Sequence, residues 1–151
     1  NGTLPYLENQ TKSGFINFSD ERTVCADLID KLRVKTSGPS QIIQYLSGGN
    51  QQKVVIGKWL ATKPKILLLD EPTRGIDIGA KQEVYRLMHE LAGEGIAILF
   101  VSSEMEEIIG MSDRLLVMHE GNISGELTKD EFSEENIMML ATGRKTGEAH
   151  N

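Results

Sequence analysis

Apolar residues return along this chain in two rhythms. Val24, Cys25, Leu28, Ile29 and Leu32 recur every three or four positions, the spacing of one helical face. Ser19 or Asp20 can cap that helix, which is expected to run to about Arg33 and to end before Gly38-Pro39. Ile42, Ile43, Tyr45 and Leu46 form a short apolar stretch, and a second helix is expected from about Asn50 to Ala61, stopped by Lys63-Pro64. Lys65–Asp70 and Ile96–Val101 read as strands. Ile66, Leu67, Leu68 and Leu69 show no alternation, so both faces of that strand are expected to be covered. Between the strands, Val84, Leu87, Met88 and Leu91 mark the inner face of a helix from Ile78 to about Ala92, with Asp77 as its cap and Gly93 at its end.

The remaining elements are shorter. Ser103-Glu104-Met105-Glu106 has the form of a capping box opening a short helix. Arg114–His119 and Asn122–Leu127 flank Glu120-Gly121, which predicts a hairpin. Thr128-Lys129-Asp130-Glu131 is a second capping box, ahead of a helix ending near Gly143. Residues 1–18 read as irregular and residues 144–151 as a loose tail. Strands alternating with helices predict an α/β fold with a parallel sheet and right-handed crossovers. Two central strands and a hairpin are few for such a sheet, and the helices are too few to cover both of its faces.

Composition narrows the function classes. With 39% hydrophobic and 25% charged residues, the 151-residue chain should fold as one globular domain rather than stay disordered. A net charge of −6 argues against a nucleic-acid-binding surface. The one cysteine, Cys25, cannot form an internal disulfide, which suits a reducing cytosol. No apolar run approaches the roughly 20 residues that span a bilayer, so any membrane role is expected to come through a partner.

Two stretches carry chemistry. The aliphatic strand ends in Asp70-Glu71-Pro72-Thr73, placing adjacent carboxylates at the open edge of a parallel sheet, where such sheets bind ligands. Read alone, Asp-Glu is also an ordinary exposed acidic turn. Upstream, Leu46-Ser47-Gly48-Gly49-Asn50-Gln51-Gln52-Lys53 sets a Ser-Gly-Gly turn at a helix start, where bare backbone N–H groups face an anion. Read alone, Ser47 is equally a helix cap. A phosphate-cradling loop reads G-x-x-x-x-G-K-[ST]. The chain's one Gly-Lys pair, Gly57-Lys58, has Gln52 at the first glycine's place and Trp59 after the lysine. Trp59 is expected to pack in the core with Val55, Ile56 and Leu60.

In this order and spacing the two stretches resemble the signature loop and Walker B strand of the ATP-binding cassette (ABC) ATPases. Arg74-Gly75-Ile76-Asp77 then resembles the D-loop, although Asp77 can simply cap its helix. The wording from Leu46 to Lys53, Asp70-Glu71-Pro72-Thr73-Arg74-Gly75-Ile76-Asp77, and Ser102-Ser103-Glu104 narrows the resemblance further. It is to the second cassette of the fused two-cassette ATPases that drive bacterial monosaccharide importers of the ribose and galactose class. Related proteins for nucleosides usually lose the acid matching Glu71, so its presence favours sugars.

The resemblance implies a partial P-loop NTPase-like cassette, without its phosphate-loop portion and opening on Asn1. Residues 1–45 would be part of the helical subdomain, 46–143 the rear of the ATPase core with its C-terminal hairpin and helix, and 144–151 a tail. It implies ATP and Mg²⁺ as cofactors, Asp70 as the Mg²⁺-associated carboxylate and Glu71 as the base that orients water. Cassettes pair head to tail, so Ser47, Gly48, Gly49 and Gln51 would serve the ATP of the partner cassette, with Asp77 at the interface. The family's usual glutamine is replaced here by Asn50, one methylene shorter. The usual switch histidine is replaced by Ser103, which has no imidazole; Ser103 is expected to cap a helix with Glu106, any phosphate contact being secondary. The expected partners are the other cassette, membrane permease subunits and, indirectly, a sugar-binding protein, and the expected location is the cytoplasmic face of the cell membrane. The chain alone is expected to be inactive and to self-associate. Other readings are a soluble ABC ATPase outside transport or, for this stretch alone, a non-catalytic interaction module.

Overall fold

The computed structural model describes residues 11, 12, 15, 16 and 18–144. The chain folds as two units, residues 1–101 and 102–151.

The first unit opens with a correction. Inside the stretch expected to be irregular, β1 (Thr11–Lys12) pairs antiparallel with β2 (Phe15–Ile16). Two-residue strands are too short to write a period into a sequence. Helix α1 (Phe18–Lys31) follows on its expected face, half-buried at Val24, Cys25, Leu28 and Ile29 and fully buried at Leu32 just beyond it. A 3₁₀ turn at Ile43–Tyr45 leads into α2 (Gly48–Leu60). The helix therefore starts two residues before the expected Asn50. Ser47 is its N-cap residue, with extended backbone, and both signature glycines lie in the first turn.

Strand β3 (Ile66–Asp70), helix α3 (Ile78–Gly93) and strand β4 (Ala97–Val101) form the parallel unit. β3 and β4 pair in parallel, Ile66 beside Ala97 through Asp70 beside Val101. Only one face of this pair is covered. Leu67 and Leu69 are buried, whereas Ile66, Leu68, Leu99 and Val101 are 58–70% exposed. The strand is therefore not buried on both sides, as its aliphatic run taken alone suggests, and the bare face fits the shortage of helices read from the sequence. A run of aliphatics says that both faces are apolar, not that both have a partner. Trp59 is a second correction: it is 49% exposed, with the Lys58 ammonium 5.3 Å from its ring centre. It lies off the stripe of Lys53, Ile56 and Leu60 that α2 buries.

The second unit holds α4 (Met105–Met111), β5 (Arg114–His119), β6 (Asn122–Thr128), a 3₁₀ turn (Lys129–Glu131) and α5 (Glu134–Ala141). The hairpin turns at Glu120-Gly121, both with positive φ (46° and 78°), the tight turn whose twist matches its strands. Val117, Leu127, Ile137 and Leu140 make its core. The Thr128–Glu131 capping box forms, but it closes the 3₁₀ turn, and Ser133 caps α5 through the Asn136 N–H. The Ser103–Glu106 box does not form. Glu104 is the N-cap of α4, and its own N–H donates to Ser102 Oγ, which in turn donates to the buried Glu107 at 2.7 Å. The local acceptor chosen is therefore Ser102, whose hydroxyl is held in place by Glu107. Of the expected tail, 145–151 lie outside the described residues; Arg144 still donates its N–H to Met139.

Candidate functional site

Three neighbouring segments of the first unit carry the candidate residues: the start of α2, the end of β3, and the loop leading into α3. Glycine at the start of α2 lets α3 come close. A Cβ on Gly49 would sit 2.5 Å from Ala80 Cβ, and one on Gly48 would sit 3.2 Å from Ile76 Cγ2. The Ser-Gly-Gly turn is therefore packed against the loop and first turn of α3, residues 76–80. Asp77 caps that helix, accepting from the Ala80 N–H at 2.9 Å, so the structural half of its expected role is present.

The polar groups of the turn are held by their neighbours. Ser47 and Gly48 are exposed, Gly49 and Asn50 buried. Ser47 makes no side-chain cap on its helix. Its hydroxyl instead accepts from Asn50 Nδ2 at 2.8 Å, while Asn50 Oδ1 accepts from the Lys35 N–H, also at 2.8 Å. Gln51 Nε2 folds back onto the Leu46 carbonyl at 2.8 Å. The first N–H groups of any α-helix have no partner inside it, and here the cap side chain does not take them. An exposed hydroxyl beside them, at the positive end of the helix dipole, suits an anion. These residues fit a nucleotide phosphate in kind.

At the end of β3, Asp70 is exposed on the bare sheet face. Glu71 holds φ at 46°, donates its N–H to the Val101 carbonyl at 2.9 Å, and accepts from the Arg74 N–H at 3.1 Å. Pro72 and Thr73, at the centre of that turn, are fully buried. The two carboxylates thus sit where the strand breaks into a tight, anchored turn. Mg²⁺ is commonly held by one or two carboxylates together with phosphate oxygens, a donor set Asp70 and Glu71 can enter. Ser103 belongs to the second unit, where it is exposed. Gly57-Lys58 lies inside α2, with Gly57 buried so close to Leu32 that a Cβ would come within 2.4 Å. It is a packing contact, not a phosphate loop.

Sequence reading missed the polar network beneath the turn. Lys53 is 4% exposed, and its ammonium donates to Glu83 on α3 at 2.7 Å and to the Arg33 carbonyl at 3.3 Å. Lys35 joins Glu83 from the other side at 3.4 Å. The hydrogen bond and charge of Lys53 hold the Glu83 carboxyl below the usual carboxylate range. The signal was available: Lys53 stands in register with Ile56 and Leu60 on the inner face, and a lysine there needs a carboxylate opposite.

Comparison with known proteins bears on the fold and the family. Residues 3–74 match the family described as ABC transporter. The ribose import ATP-binding protein of Streptococcus agalactiae is 52% identical over 145 residues, 96% of this chain and 30% of that protein. Its counterpart in Geobacillus kaustophilus is 53% identical over 143 residues, 95% of this chain and 29% of that protein. The chain thus spans about a third of the length of the curated relatives it matches. Among solved structures, a dimeric bacterial ABC transporter cassette superimposes with a TM-score of 0.70 at 23% identity, over 87% of this chain and 56% of that one. A component of an ABC transporter complex from Clostridium perfringens gives 0.69 at 23%, over 87% and 50%. The fold, the motifs and the relatives point the same way: the chain is similar to the ABC transporter ATPases.

Proposed function

We propose that this chain is part of the ATP-hydrolysing subunit that powers import of a monosaccharide through a membrane permease. The observation that carries this is the seating of the Ser47–Gly49 turn against residues 76–80, which joins an anion-facing helix start to the loop that follows the carboxylate strand. The sugar class rests on the ribose import proteins to which the chain is similar.

In this reading Ser47, Gly48 and Gly49 face the ATP of a partner cassette, and Asp77 stands at that interface. Gln51 acts on the turn from behind, through Leu46. Asp70 and Glu71 serve the site of their own cassette. Bound Mg-ATP supplies the phosphoryl group and the cation that neutralises developing charge. Asp70 holds the cation side. Glu71 accepts a proton from water and orients it, and the anchored turn keeps that carboxylate aimed. By the sequence resemblance Ser103 takes the place of a histidine usual in such cassettes, and on that ground the Glu71 site is expected to be the weaker hydrolytic one. Residues up to 45 form part of a helical subdomain that meets the permease, and 46–143 the rear of the ATPase core. An open groove of about 830 Å³, lined by Cys25, Ile29, Ile42 and Val54 together with Glu21, Arg22 and Gln41, is the surface we assign to the permease contact, with exposed Tyr45 close by in the chain. The permease subunits would hold the chain at the inner face of the membrane; among the described residues no helix is long and apolar enough to cross one.

Calorimetric titration of this chain with Mg-ATP tests the division of labour. With the turn facing a partner's nucleotide and no phosphate loop in the sequence, binding is expected to be very weak or absent. Low-micromolar affinity overturns this reading.

A further inference from the structure

We propose that Asn50 is a positioning residue that fixes the direction of the Ser47 hydroxyl proton, keeping it pointed outward as a donor to an anion. The inference rests on Ser47 facing a nucleotide phosphate, as argued above.

The polarity follows from one group that has no choice. A backbone N–H only donates, so the Asn50 atom 2.8 Å from the Lys35 nitrogen is the carbonyl oxygen. The other end of the amide is then NH₂, and it points at Ser47 Oγ at 2.8 Å. That hydroxyl already receives a proton from Asn50, so its own proton must go elsewhere. Asn50 is 7% exposed, so little solvent reaches the amide to compete with the Lys35 N–H that sets its orientation.

The arrangement inverts a capping box. There the serine accepts from the backbone of the third helical residue, whose side chain returns to the serine's own N–H. Here the third residue, Asn50, takes over the serine oxygen with its side chain, and Ser47 makes no cap bond. The first N–H groups of α2 are thereby not taken by Ser47. A glutamine at this position would carry the amide one methylene too far to bridge both partners. The shorter side chain fits because the Lys35 backbone lies directly behind the turn. Position 50 thus ties the Ser47 donor to the segment that follows α1.

Asn50→Asp separates polarity from packing. The new carboxylate has the shape of the amide and still accepts from Lys35, but toward Ser47 it is an acceptor and draws the hydroxyl proton inward. In the complete ATP-binding subunit with its permease, Ser47→Ala, Asn50→Asp, Asn50→Ala and the double variants are compared by kcat/KM for ATP and by melting temperature. We expect each single variant to lower kcat/KM about 10- to 100-fold, the range for one hydrogen bond to a charged group. Asn50→Asp should melt close to wild type, and the Asn50 changes should cost far less in the Ser47→Ala background. A second readout needs no nucleotide. In the NMR spectrum of this chain, Ser47→Ala should shift one proton of the Asn50 side-chain amide. If Ser47→Ala lowers kcat/KM while Asn50→Asp does not, or the amide signal stays put, the positioning role is wrong and the nucleotide-facing serine survives. If Ser47→Ala has no effect on kcat/KM, both fall.

Discussion

Glu71 holds its backbone at φ 46°, in a region that β-carbon sterics make uncommon outside glycine and asparagine. Such strain persists where surrounding structure overdetermines it, and here the Val101 carbonyl, the Arg74 N–H and buried Pro72 and Thr73 do so. Glutamine meets the same strain as glutamate, so Glu71→Gln should fold like wild type and change only the charge. Losing a positioned base typically costs about 10²–10⁴-fold, at a site that turns over. Because Ser103 is no imidazole, Glu71→Gln should slow ATP hydrolysis by the whole transporter less than the matching change in the paired cassette. Initial rates of both variants in membrane vesicles check this, and the reverse order means the two sites are assigned backwards. At this scale the sequence was readable where one residue acts on its own backbone neighbours, as Asp77 does on Ala80. It was not readable where a side chain one turn on competes: buried Glu107 holds Ser102, which takes the Glu104 N–H, and α4 starts with Glu104 rather than Ser103 as its N-cap.

Helices α2 and α3 are joined by both a close approach and a charge pair. Gly49 against Ala80 sets the distance; Lys53 with Glu83 fills the polar part of the seam, the lysine side chain 6% and the glutamate 39% exposed. The folded state lowers the Glu83 pKa through the Lys53 hydrogen bond and charge, with Lys35 adding to both. A depressed carboxylate contributes stability that is present above its unfolded pKa and lost as pH falls through the folded value. The chain should therefore lose stability below the ordinary glutamate range, and Glu83→Gln should flatten that loss. At neutral pH Glu83→Gln should destabilise by about 1–3 kcal/mol, because it leaves the buried lysine charge short of its partner. Adding Lys53→Met should recover part of the loss, since removing both charges is cheaper than stranding one. Melting curves from pH 3 to 8 for wild type and the two variants read both effects. If Glu83→Gln and wild type lose stability in parallel on acidification, the pair is not what titrates. Helices and the hairpin were legible from periodicity, but this pairing links positions 30 residues apart, and only the odd lysine in an apolar stripe hinted at it.

For the whole molecule, the decisive feature is an apolar sheet face without a cover. Ile66 and Leu68 on β3 and Leu99 and Val101 on β4 lie side by side in the parallel register and stay more than half exposed. The unbroken aliphatic run could be read as a strand from sequence, yet it carried no information on which face has a neighbour. That depends on packing, which alternation records only when one face is polar. Contiguous bare apolar area of this kind marks association sites. At roughly 25 cal/mol per Å², covering a few hundred Å² supplies several kcal/mol toward association. The chain on its own should therefore self-associate, with the β3–β4 face as the contact. Light scattering over a concentration series should show mass rising with concentration, and Leu68→Gln with Leu99→Gln should shift the chain toward monomer. Both positions are exposed, so the double variant should keep its fold and melt cooperatively. A wild-type chain that stays monomeric and binds no hydrophobic dye would mean that this face is already covered in solution, and the bare strand pair described above would not be its resting state.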